Sequence, residues 1–148
     1  MRQKPGSGLF LLDVSTLIAL VHPHHLAHRT VEAWFHQYAA ERWATCPITE
    51  CGFVRVASNP RFASPASPVE TLQLLAILIE MPGHHFWPDH LTVGDVFGQF
   101  EERLFGHQQI SDAYLLALAI AQEGHLVTLD RSIATLAGPE HAAHLLVL

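Results

Sequence analysis

Positive charge is what this sequence has least of. Lys4 is its only lysine, and basic residues total 8 against 14 acids, a formal net charge of −6. No Lys/Arg cluster occurs, which excludes a basic nucleic-acid coat. Charged residues of all kinds make up 15% of the 148 positions, well under the roughly 25% usual in soluble domains. With 49% apolar residues the chain is not disordered, because disorder requires low hydrophobicity and high charge. Low charge beside high apolar content points to a surface covered by a partner or by a second copy.

Cysteine is scarce too. Cys46 and Cys51 stand five apart, fit no metal or redox spacing, and read as buried thiols. No disulfide framework is required, since a domain of this length buries about 70% of its unfolded surface. A long hydrophobic run is also lacking. The stretch 9–21 has the length of a signal-peptide core, but Asp13 interrupts it, no A-x-A-like site follows, and it is too short to span a bilayer. A cytoplasmic protein without membrane contact is expected. The length suits one domain: residues 1–8 as a polar, flexible stub and 9–148 as the folded unit.

What is present alternates between strand and helix. GLFLL (8–12) is a continuous apolar run ended by Asp13, as in a buried parallel strand. Helices are expected over 15–21, 24–40, 47–58, 68–80, 92–104 and 111–123, the last capped by Ser111 and closed by Gly124. Further strands are expected at 42–46, 84–87, 125–129 and 145–148, with a short helical turn at 132–137. Two prolines in 59–67, Pro60 and Pro65, mark a loop. The pattern predicts an α/β domain with a mostly parallel sheet, whose site lies beyond the carboxyl ends of the strands.

That rule leads to the acids. Asp13 follows GLFLL and Asp130 follows HLVTL, each the first charge after an apolar strand. Asp112 opens the helix before the second strand, and Glu50 stands one turn into the helix begun by Pro47. Each has an ordinary reading: a helix cap for Asp13, a dipole partner for Asp112, an Asx turn for Asp130, a solvated side chain for Glu50. Together they are expected at one rim. Carboxylates so close cannot all stay bare anions. All-oxygen sites suit Mg²⁺ or Mn²⁺, which activate water and shield a scissile phosphate. No Ser–His or Cys–His nucleophile pattern competes.

At these residues the sequence resembles the PIN-domain ribonucleases, and within them the VapC-type toxins of toxin–antitoxin pairs. LLDVSTLIAL (11–20), CPITECGFVRVASNP (46–60) and HQQISDAYLLALAIAQEGHLVTLDRSIATL (107–136) carry the likeness in order. The resemblance implies a PIN-like three-layer sandwich, a central, mostly parallel five-stranded sheet flanked by helices. It implies a Mg²⁺- or Mn²⁺-dependent endoribonuclease, a homodimer, restrained by a cognate antitoxin. Asp13, Glu50, Asp112 and Asp130 match the catalytic, metal-binding acids. Ser15, Thr128 and Ser132 are auxiliary candidates. Arg55, Arg61 and Arg131 are candidates for the RNA phosphates.

Two other readings compete. The Asp13 segment also resembles the D-x-D-x-T start of haloacid-dehalogenase-like phosphatases, but Ser15 stands where the second acid belongs. A non-catalytic PIN-like binding module predicts a broken acid set. Among twelve histidines, His24 and His28 have helical i,i+4 metal spacing, yet no H-E-x-x-H occurs and surface histidine is the simpler reading.

Overall fold

A computed structural model describes residues 8–62 and 65–148. Residues 1–7 of the expected stub lie outside the described residues. Five strands run β1 (Phe10–Leu12), β2 (Trp43–Thr45), β3 (His84–Phe86), β4 (His125–Thr128) and β5 (Leu145–Val147). All four pairings are parallel, in the order β3-β2-β1-β4-β5. The helices are α1 (Val14–Val21), α2 (His28–Trp34), α3 (Pro47–Ala57), α4 (Pro68–Ile79), α5 (Val93–Phe100), α6 (Ile110–Ala121) and α7 (Ile133–His141, interrupted at Gly138). The expected parallel α/β sandwich is the observed one.

Strand alternation separates two cores. Phe10, Leu12, Trp43 and Val127 point to one face, where Leu17, Phe35, Phe53 and Leu75 of the first helices pack. Leu11, Ala44 and Leu126 point to the other, against Phe100, Leu116, Leu118 and Leu136. Each large side chain buried this way contributes about 1.5–3 kcal/mol. Trp34 and Phe35 belong to the first core.

The strand order changes direction at the centre. From β1 the chain proceeds to β2 and β3 on one side, then returns to lay β4 and β5 on the other. Open α/β sheets bind ligands at such a switch point. Here β1 and β4 flank it, with Leu12 beside Val127. The Asp13 N–H and the Thr16 hydroxyl both donate to the Val127 carbonyl, at 3.1 Å each, and tie the start of α1 onto β4.

Four local expectations are corrected. The helix predicted over 24–40 begins only at His28 and ends in a wide π-type turn, Phe35–Ala39. Pro23 cannot donate a backbone hydrogen bond, and His22–Ala27 form turns instead. His24 therefore shares no helical face with His28, whose Nδ1 is bonded to the Ala19 carbonyl. Ser111 does not cap α6: the helix starts one residue earlier, after the 3-10 turn His107–Gln109, with Gln109 at its cap. Gly124 is not the left-handed residue that closes α6. Glu123 is, at φ 53, and Gly124 donates to Ala119 one position later. Glycine is needed at 124 because a Cβ would meet the Leu9 carbonyl at 2.6 Å and the Trp87 ring at 2.7 Å. Finally, Cys46 is buried but Cys51 is exposed, because it lies on the outer face of α3.

Candidate active site

Asp13 is built into the turn between β1 and α1. It is 6% exposed, and its Oδ1 accepts from the Thr16 N–H at 2.9 Å and from the Ser15 hydroxyl at 2.8 Å. The cap reading is thus correct as local geometry. It occupies one carboxylate oxygen and leaves Oδ2 with no protein hydrogen bond among the described residues. Ser15 acts on Asp13 directly.

Asp130 leaves the end of β4 in an Asx turn. Its Oδ1 accepts from the Ser132 N–H at 2.9 Å, and its own N–H donates to Thr128 Oγ1 at 3.0 Å. Thr128 is fully buried and holds the backbone at this bend. Ser132 contributes its main chain to the turn.

Asp112, in the first turn of α6, joins the other two. Its carboxyl is pushed up to about 6 by burial, then by the negative charges of Asp13 and Asp130. Three aspartates from the ends of β1 and β4 and the start of α6 therefore share one electrostatic environment. Among the described residues no lysine or arginine forms an ion pair with any of them.

Glu50 is not among the charges that raise Asp112. It is half-buried in the first turn of α3, and its Oε1 accepts from the Thr45 hydroxyl at 2.6 Å. Thr45 Oγ1 also lies 2.7 Å from His84 Nε2. Burial lowers the His84 pKa, the Glu50 charge works against that, and His85 adds to the lowering. The solvated reading of Glu50 is therefore incorrect. Thr45 and His84 were missed in the sequence; a threonine ending a buried strand five residues before an acid was the available signal. Arg55, Arg61 and Arg131 are all exposed.

The donor chemistry fits a hard divalent cation. Burial first, and then the charges of Asp13 and Asp130, raise Asp112, and the repulsive part of that conflict is what a cation relieves. Among the described residues, no three His, Cys, Asp or Glu side chains converge tightly enough to cage an ion alone. Mg²⁺ does not require a cage: it is held through one or two carboxylates and keeps much of its water.

A family model describing the PIN domain matches residues 10–139. The chain belongs to the PIN-domain family. Within it, this PIN domain is 43% identical to ribonuclease VapC44 of Mycobacterium tuberculosis over 129 residues, 87% of this chain and 91% of that one. It is 39% identical to ribonuclease VapC39 of the same species over 127 residues, 84% and 90% of the two chains. The crystal structure of PAE2754 from Pyrobaculum aerophilum superposes with a TM-score of 0.60 at 19% identity, covering 87% of this chain and 79% of the other, and shares the fold. This PIN domain is of the VapC kind.

The raised Asp112 carboxyl has a consequence for the metal-free PIN domain. Between about pH 4 and 6 the folded state keeps a proton that the unfolded chain has lost. Stability from this group falls as pH rises through that window and stays low above it. Asp112→Asn is expected to stabilise the chelated protein at pH 7.5 by about 1–2 kcal/mol, and by clearly less at pH 4.5. Thermal melts in EDTA check this; an equal gain at both pH values would contradict it.

Proposed function

We propose that this protein is a metal-dependent endoribonuclease, the toxin of a toxin–antitoxin pair, hydrolysing RNA phosphodiester bonds with Mg²⁺ or Mn²⁺. The observation that carries the reading is the aspartate trio at the β1/β4 switch point, where Asp13 and Asp130 bear on a raised Asp112. The ribonuclease names of its VapC relatives support it. Asp13, Asp112 and Asp130 would hold the metal, with Glu50 entering from α3. When bound, the metal supplies an activated water and charge shielding for the scissile phosphate.

The protein's own groups do the rest. The Ser15 hydroxyl and the Thr16 N–H hold Asp13 Oδ1, so that carboxylate is oriented before any ligand arrives. The Asx turn fixes Asp130 in the same way. Asp112 would give up its proton as the metal binds. The exposed guanidinium groups of Arg55, Arg61 and Arg131 would meet RNA phosphates, a small contribution in keeping with the low basic count.

The partners follow the same reading. We propose a homodimer and a cognate antitoxin that blocks the site, in the cytoplasm. Val69, Leu72 and Ile77 are exposed apolar side chains of α4. Beside it Leu20, Val21, Phe35, Leu74 and Leu78 line a groove of about 240 Å³. Apolar surface of this kind supports a protein partner. No helix among the described residues is long and apolar enough to cross a membrane.

Purified protein is expected to cleave single-stranded RNA in Mg²⁺ or Mn²⁺, to stop in EDTA, and to resume when metal is returned in excess. Expression without the antitoxin should arrest growth. Cleavage that persists undiminished in EDTA would refute metal dependence, and turnover of small phosphomonoesters instead of RNA would favour the phosphatase reading.

A further inference from the structure

Glu50 ends a chain of hydrogen bonds whose direction can be deduced. A threonine hydroxyl has one proton to give. At Thr45 it goes to Glu50 Oε1, 2.6 Å away, since an ionised carboxylate only accepts. The oxygen of that hydroxyl lies 2.7 Å from His84 Nε2. With the hydroxyl proton already committed, this contact is a hydrogen bond only when His84 carries a proton on Nε2 and donates it. The order is therefore His84 N–H to Thr45, and Thr45 O–H to Glu50. Each bond polarises the next in the same direction.

The surroundings hold this relay in place. Thr45 is fully buried, so water does not compete for its hydroxyl. The His84 ring stands edge-on to Trp43 with centroids 4.6 Å apart, and Trp43 is itself fully buried. Parallel pairing of β2 with β3 sets Trp43 beside His84. Residues 39 positions apart in sequence are thus joined by the sheet itself.

We propose that Thr45 and His84 are positioning residues for Glu50, fixing its carboxylate for a divalent cation at this edge of the sheet. The proposal rests on the metal-dependent nuclease reading. A glutamate free at this position would sample many rotamers, and ordering it would weaken ion binding. The relay does that ordering in the folded protein beforehand, while Oε2 remains without a protein hydrogen bond among the described residues. Such supporting partners typically command about 10–100-fold in metal affinity or activity.

The test is Mn²⁺ binding to the full chain without RNA, followed by the electron paramagnetic resonance of free Mn²⁺, with RNA cleavage in Mg²⁺ measured in parallel. Thr45→Val removes the hydroxyl and keeps the shape. It is expected to weaken Mn²⁺ binding about 10–100-fold and to lower kcat with KM for RNA little changed. Thr45→Ser restores the hydroxyl and should return both to within about threefold of the parent. His84→Leu leaves Thr45 in place and removes the outer donor together with the ring contact to Trp43; about a tenfold loss is expected, and this variant serves if Thr45→Val does not fold. Parent-like Mn²⁺ binding in Thr45→Val or His84→Leu overturns the proposal, as does a serine variant no better than valine. If the parent itself neither binds Mn²⁺ nor cleaves RNA, the nuclease reading fails and the positioning role fails with it. If the parent does both and the variants match it, only the positioning role falls.

Discussion

Asp13→Asn is expected to lower RNA cleavage by at least about 100-fold, beyond the range commanded by residues that merely support a metal ligand. The fold should survive. Asparagine keeps a side-chain oxygen for the Ser15 hydroxyl and the Thr16 N–H, so the cap on α1 persists. A negative charge at the helix start is lost, at a cost of about 0.3–1 kcal/mol. Relief of the repulsion felt by Asp112 offsets that cost. The melting temperature in EDTA should therefore stay near or above that of the parent while activity collapses. Asp13→Ala is a poorer test, because it also removes the cap. A rate for Asp13→Asn within threefold of the parent, on RNA in saturating Mg²⁺, would remove Asp13 from the site.

Phe10→Ala is expected to do the reverse. Phe10 is fully buried in β1, the central strand, with Trp34 edge-on at 5.2 Å and the Arg42 guanidinium over its ring at 5.1 Å. Truncating such a ring costs about 3–5 kcal/mol, in domains whose whole stability is about 5–15. The melting temperature should fall by at least about 10 °C. The carboxyl end of β1 is not touched directly, so cleavage per folded molecule at low temperature should stay close to that of the parent. Denaturant midpoints and rates normalised to the folded fraction check both halves. A loss of under 1 kcal/mol would mean that the first core tolerates a void it is packed to exclude.

How much of this was legible beforehand depended on sequence distance. A strand ended by an acid is a local pattern, and both examples, Asp13 and Asp130, led to the switch point. Asp112 is legible from a different local pattern, an acid in the first turn of the helix that leads into β4. Local capping was less readable. The 3-10 turn before α6 moved the cap from Ser111 to Gln109, and Glu123 took the left-handed turn because Gly124 was reserved for close packing. The exposure of Cys51 depended on which face of α3 turns inward, and that face is set by Val14 pressed against Gly52. His84 was unreadable for a stronger reason. Its partner Thr45 is 39 positions away, and their contact exists only once β3 is laid beside β2.

The central position of β1 also bears on how the protein is made. β1 leaves the ribosome well before its partner β4, and the two strands end at Asp13 and Asp130. Until residue 130 has emerged, the growing chain holds Asp13, Glu50 and then Asp112, but not the complete trio. On the proposed function, a product that ends before Asp130 is expected to be catalytically silent. On the same reading, the ribosome that synthesises this nuclease works with an inert polypeptide until β4 is made, and a blocking partner is needed only after β4 has docked.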